Sequence, residues 1–127
     1  MNINTLIVDD DASARKTFGS ILKAKGYDVE GAVNGQEAIA KATAKFFNIV
    51  FIDIRLPDMN GLELARRLHK LDPLLRFVIV SGYLNTEAAA VAQAQAEGMI
   101  SACINKPFLH EEILSVVENL AASDGAR

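Results

Sequence analysis

The sequence predicts an α/β protein built on a doubly wound parallel sheet, and three observations lead there. Five short apolar runs alternate with five segments of helical spacing along a chain of 127 residues. Several of the runs are continuous rather than alternating, as in strands buried on both faces. Strand and helix alternate over the whole length, which implies parallel strands covered by helices on both sides. Right-handed crossovers then leave few ways to order them.

The first run, Thr5 to Val8, leads into a segment where Ala14, Phe18, Ile21, Leu22 and Lys25 share one helical face. Asp11 suits its N-cap and Gly26 its C-terminal stop. After Val29 to Val33, Asn34 with Glu37 three residues on resembles a capping box, and Ala38, Ile39 and Ala42 follow. After Asn48 to Ile52, Leu64, Leu68 and Leu71 repeat at helical spacing until Pro73 forbids continuation. After Phe77 to Val80, Thr86 caps a helix from Glu87 to Glu97 that ends at Gly98. This helix is alanine-rich, with Val91 its only large aliphatic residue, and reads either as a helix packed close on small side chains or as a surface whose position shifts easily. After Ala102 to Ile104, Leu109, Ile113, Val116, Val117 and Leu120 form an amphipathic stripe. A single domain over residues 1–121 is expected, with 122–127 as a flexible tail or the start of a linker.

Sixteen acidic against thirteen basic residues leave a net charge of -3, which argues against nucleic-acid contact or an anionic membrane surface. The one cysteine, Cys103, cannot form an internal disulfide. No segment approaches the ~18 consecutive apolar residues of a membrane span, and no leader pattern opens the chain. A cytoplasmic location is expected. Cys103 lies in a predicted strand, where packing outweighs nucleophilic reactivity. His69 and His110 are too distant in sequence to form a helical metal pair, and Arg66-Arg67 reads as a solvated helix face.

Chemistry gathers at the strand ends, where ligand sites of open parallel sheets form. The first strand is followed by Asp9, Asp10 and Asp11, the third by Asp53, the fourth by Ser81 and the fifth by Asn105-Lys106-Pro107. Singly, such residues cap helices or shape turns. Together at four of five strand ends they place carboxylates, a hydroxyl and an ammonium on one rim. Crowded carboxylates must protonate or share a cation, and a hard ion that keeps several waters points to magnesium, Mg2+. Such an ion can neutralise charge on an incoming phosphoryl group while a carboxylate attacks it in line.

At these residues the chain resembles the receiver domains of two-component response regulators. The matching pieces are Leu6-Ile7-Val8-Asp9-Asp10-Asp11, Asp53-Ile54-Arg55-Leu56-Pro57-Asp58-Met59-Asn60-Gly61, Val80-Ser81-Gly82-Tyr83 and Asn105-Lys106-Pro107-Phe108, within residues 3–121. The resemblance implies a flavodoxin-like (βα)5 fold of strand order 2-1-3-4-5. It implies that Asp53 accepts a phosphoryl group from a histidine kinase or phosphotransfer protein. Asp10, Asp53 and the Arg55 backbone carbonyl would then bind Mg2+, with Asp9 assisting through water. Ser81 would be the switch hydroxyl, Lys106 would pair with the phosphoryl group, and the Lys106–Pro107 bond would be cis. Output would run through the surface of the fourth helix, fifth strand and fifth helix to a downstream effector. A homodimer formed on phosphorylation is compatible with that scheme.

Two departures stand out. Cys103 occupies the position, three before the lysine, where the family usually carries an aromatic residue, and the stretch from Ser81 to Lys106 is a few residues longer than usual. Tyr83 is an exposed loop residue or a partial substitute for that ring, and with Arg55 it flanks the acceptor rim. A dehalogenase-like phosphohydrolase would want an aspartate where Arg55 stands. A flavin-phosphate site would be repelled by Asp9, Asp10 and Asp11. The remaining alternative is a receiver-like interaction module that works without phosphorylation.

Overall fold

Leu6 and Val8 have no exposed surface and Ile7 has 4%, so the first run has apolar cover on both sides and belongs in the middle of a sheet. The computed structural model describes residues 3–82, 84–106 and 108–124, with the side chains of residues 81, 84–88 and 121–124 outside the description. Its elements are β1 (Asn4–Val8), α1 (Ala12–Ala24), β2 (Asp28–Ala32), α2 (Gly35–Ala44), β3 (Ile49–Ile52), α3 (Gly61–Leu71), β4 (Arg76–Ser81), α4 (Leu84–Ala96), β5 (Ala102–Asn105) and α5 (His110–Asp124). The strands form one parallel sheet in the order β2-β1-β3-β4-β5. This is the doubly wound, flavodoxin-like arrangement the sequence predicts.

Successive strand residues point to opposite faces, and the two cores divide accordingly. Leu6, Val8, Val50, Ile52, Phe77 and Ile79 pack with Leu64, Leu68, Val91 and Ala94 of α3 and α4. Ile7, Ile49, Phe51, Val78, Val80 and Ile104 pack with Phe18 and Leu22 of α1 and with Ile113 and Val117 of α5. Both faces of the central strands are therefore covered, which is why their sequences run apolar without alternation. Each fully buried side chain of this size contributes roughly 1.5–3 kcal/mol of transfer free energy.

The helix ends follow local chemistry. Asp11 accepts the Ser13 N–H at 2.9 Å, Asn34 the Glu37 N–H at 2.8 Å and Asn60 the Leu62 N–H at 2.7 Å. Glu37 answers by accepting from Val33 N–H at 3.2 Å, one residue ahead of the N-cap. Gly26 and Gly98 take φ of 87° and 80°, the left-handed conformation that ends α1 and the turn after α4.

Four sequence expectations shift. Leu71 is 52% exposed because it is the last residue of α3, beyond the cover of the sheet. Leu109 is 65% exposed and precedes α5, so the buried stripe there begins at Ile113. Val33 falls outside β2 and is 37% exposed. α4 begins at Leu84 rather than at Glu87, and its packing rests on Val91 and Ala94, 4% and 1% exposed, as its small side chains suggest. No helix among the described residues is long and apolar enough to cross a membrane.

Candidate functional site

Three strands deliver the site to the carboxyl edge of the sheet. The Asp9 N–H bonds the Ala32 carbonyl at 3.1 Å and the Asp53 N–H bonds the Val8 carbonyl at 3.0 Å, so both residues extend the ladders of β1 and β3 by one step. Their side chains thus stand side by side at the rim, and both residues are buried, at 5% and 8% exposure. Asp10 follows on the exposed side of the same turn. Carboxylate oxygens of Asp9, Asp10 and Asp53 lie within 4.8 Å of one another.

Lys106 enters from the end of β5. Its Nζ donates to Asp9 Oδ2 at 2.7 Å and lies 3.4 Å from Asp53 Oδ2. An ammonium between two buried carboxylates offsets a repulsion that the apolar surroundings would amplify. Burial is the main influence on Asp53 and raises its carboxyl above the ordinary range; the Lys106 charge opposes this and the Asp9 charge adds to it. For Lys106, burial pulls downward, but the hydrogen bond it donates to Asp9 and the charges of Asp53 and Asp9 together hold the ammonium above its usual value. The lysine therefore stays charged.

The loop after β3 completes the Asp53 side of the site. The Arg55 N–H points to Asp53 Oδ1 at 3.4 Å, and Arg55 pairs with Asn60 in an isolated antiparallel bridge. The Arg55 side chain is exposed. Gly61 closes the loop with its N–H on the Ile54 carbonyl at 2.7 Å. Ser81 ends β4 in register with Asn105, the residue before Lys106, so its backbone reaches the same rim. Its side chain, Tyr83 and Pro107 lie outside the described residues, and so does the Lys106–Pro107 bond.

The structure thus brings together Asp9, Asp10, Asp53 and Lys106, which the strand-end pattern singled out. Cys103 is half-buried in β5, packs against the larger core and has its thiol pushed up by burial, as a packing residue would. Arg66 and Arg67 are exposed, with Arg67 paired to Glu63 at 2.8 Å, as a solvated face would be. His69 stands on α3 and His110 opens α5.

Two contacts were not foreseen from the sequence. Lys106 binds Asp9 directly, across 97 residues. Asp58 accepts the N–H groups of Gly35 and Gln36 at 2.9 Å each, capping α2 from the loop after β3. A cap supplied from 23 residues away leaves no local signature.

Comparison with known proteins agrees with this fold. The chain is 29% identical over 119 residues to the response regulator receiver protein CpdR of Brucella abortus, covering 91% of this chain and 93% of that one. It is 30% identical to the probable transcriptional regulator ycf29 of Porphyra purpurea and 34% identical, over 111 residues, to the C4-dicarboxylate transport transcriptional regulatory protein DctD of Rhizobium meliloti. It spans only 59% and 24% of the lengths of those two regulators. The CheY-like receiver domain protein of Methanospirillum hungatei superposes with a TM-score of 0.89 at 33% identity, covering 98% of this chain and 97% of that one. Residues 5–118 match the response regulator receiver domain, and the chain belongs to that family of two-component signalling domains.

Proposed function

We propose that this domain is a phosphorylation switch whose acceptor is Asp53. The observation that carries the reading is the meeting of three carboxylates within 4.8 Å with Lys106 reaching two of them. A carboxylate oxygen of Asp53 attacks the phosphorus of a phosphohistidine on a histidine kinase or phosphotransfer protein. The P–N bond breaks, its electron pair stays on the imidazole, and an acyl phosphate forms on Asp53. Water later attacks the same phosphorus and releases inorganic phosphate, restoring the carboxylate. The domain turns over its own acyl phosphate and no external metabolite.

The donor set fits a hard divalent ion, since Asp9, Asp10 and Asp53 offer oxygens only. Asp10, Asp53 and the Arg55 carbonyl would hold Mg2+, with Asp9 assisting through water. Bound there, Mg2+ supplies positive charge beside the acceptor and offsets the charge of the arriving phosphoryl oxygens. Lys106 would turn from its carboxylate partners toward the phosphoryl group, and the Ser81 hydroxyl would meet another of its oxygens. Those movements would bias the surface of α4, β5 and α5, which a downstream effector domain or protein reads. Arg55 and Tyr83 would restrict the hydrolytic water. The domain, residues 1–121, would act in the cytoplasm, apart from nucleic acid and membrane.

Incubating the chain with Mg2+ and a small acyl-phosphate or phosphoramidate donor should add the mass of one phosphoryl group. The gain should vanish in Asp53→Asn and on chelation of the metal. A wild-type chain that gains no mass would overturn the reading. It would favour a receiver-like module that works without phosphorylation, a reading to which Cys103, at the position of the family's usual aromatic, already lends some weight.

A further inference from the structure

Every polar atom of Asp9 is engaged. Its N–H donates to Ala32, Oδ1 accepts from the Asp11 N–H at 2.9 Å and Oδ2 accepts from Lys106. Its carbonyl accepts from Arg15 Nη1 at 2.6 Å. The first three contacts follow from strand pairing, a tight turn and the site lysine. The fourth has a different origin: Arg15 stands on α1, and its guanidinium folds back over the end of β1.

The path of that side chain explains a glycine in the middle of β2. Gly31 lies in register with Ile7, and a Cβ there would come 3.2 Å from Arg15 Cδ and 3.6 Å from its Nε. Glycine weakens a strand and commonly marks a close approach of other atoms. Here the approaching group is the Arg15 stem.

Asp10, by contrast, has no hydrogen bond or ion pair to its carboxylate among the described residues. Where that carboxylate points is therefore set by its backbone, and the peptide unit joining it to Asp9 carries the carbonyl that Arg15 holds. We propose that Arg15 is a positioning residue for the cation site: by fixing the Asp9–Asp10 peptide it aims the Asp10 carboxylate at the space shared with Asp9 and Asp53, and Gly31 keeps its path open. The inference rests on the reading of those three carboxylates as a cation site.

Positioning and charge predict opposite signs. A guanidinium that acted only through its charge would repel a divalent ion, so Arg15→Ala would tighten binding. A positioning residue predicts weakening. Mg2+ affinity should be measured by calorimetric titration on the full chain for wild type, R15A, R15K, G31V and, as a control for α1 charge, K23A, with a melting temperature for each. Loss of a group that orients a metal ligand typically costs about 10-fold in affinity. R15A is expected to weaken binding by about that factor at a near-unchanged melting temperature, and R15K to recover most of the loss, because an ammonium can also donate to the carbonyl. G31V should weaken binding although Arg15 is retained; its valine suits a strand, and the groove of about 490 Å³ between α1 and β2 has room for the displaced side chain. K23A should match wild type. An R15A chain that binds as tightly as wild type or more tightly, or a G31V chain of unchanged affinity, overturns the proposal alone. A wild-type chain that takes up no Mg2+ overturns the cation site and the proposal together.

Discussion

At Gly61 the chain turns so sharply after β3 that a side chain has no space. A Cβ there would overlap the Asp53 carbonyl oxygen and stand 2.9 Å from Ile54 Cα, both rigid backbone atoms at the candidate site. Overpacking of this kind costs about 1–3 kcal/mol. Gly61→Ala should lower stability by that amount in urea unfolding, and a cost below about 0.5 kcal/mol would show that the loop yields. The sequence offered Gly61 only as part of a motif, because the need for it arises from atoms seven to nine residues back that the turn brings against it. Leu71 and Leu109 carry the same lesson with the opposite sign. Both fit a helical apolar stripe by spacing, yet both sit at a helix end past the edge of the sheet and stay exposed. Spacing assigns a face, but only the length of the covering layer decides how far along the helix that face is buried.

Elements here are joined by caps that cross between them. Asp58 holds the N-terminus of α2 from the loop that also carries Arg55, so the loop after β3 and α2 are one mechanical unit. The Gly35 N–H is the main influence on the Asp58 carboxyl; desolvation opposes it, but with the Gln36 N–H added the carboxyl is drawn below its ordinary value. A carboxyl lowered on folding stabilises the fold above its unfolded pKa, about 3.9, and that contribution fades as pH falls through the lower folded value. Asp58→Ala should therefore melt below wild type at pH 7, and the gap should narrow as the pH is taken from about 4 downward. A gap constant across that range would separate the cap from its charge. The local caps at Asp11, Asn34 and Asn60 need no such help from afar, since each acts on a neighbouring residue. The first two were read directly from the sequence.

For the whole molecule, the sheet order and the site are a single fact. β1 and β3 are neighbours at the centre, which sets Asp9 beside Asp53, and β5 closes the rim with Lys106. A ligand that binds this folded rim and not the open chain adds stability by mass action, about 2.7 kcal/mol when its concentration reaches a hundredfold of its dissociation constant. Mg2+ should raise the melting temperature in a concentration-dependent way, chelation should reverse the rise, and Asp53→Asn should blunt it. A melting temperature indifferent to Mg2+ would count against a site at this rim.

The sequence by itself determined the class of fold and the chemical parts of the site. Periodicity and apolar runs are local properties, and residue types at strand ends need no distances to be noticed. Only the tertiary structure decided that Lys106 binds Asp9 as well as approaching Asp53, that Asp58 caps a helix not its own, and that Arg15 reaches the Asp9 carbonyl past Gly31. These contacts join parts of the chain that no local rule connects, and the stacking of parallel strands is what makes them neighbours.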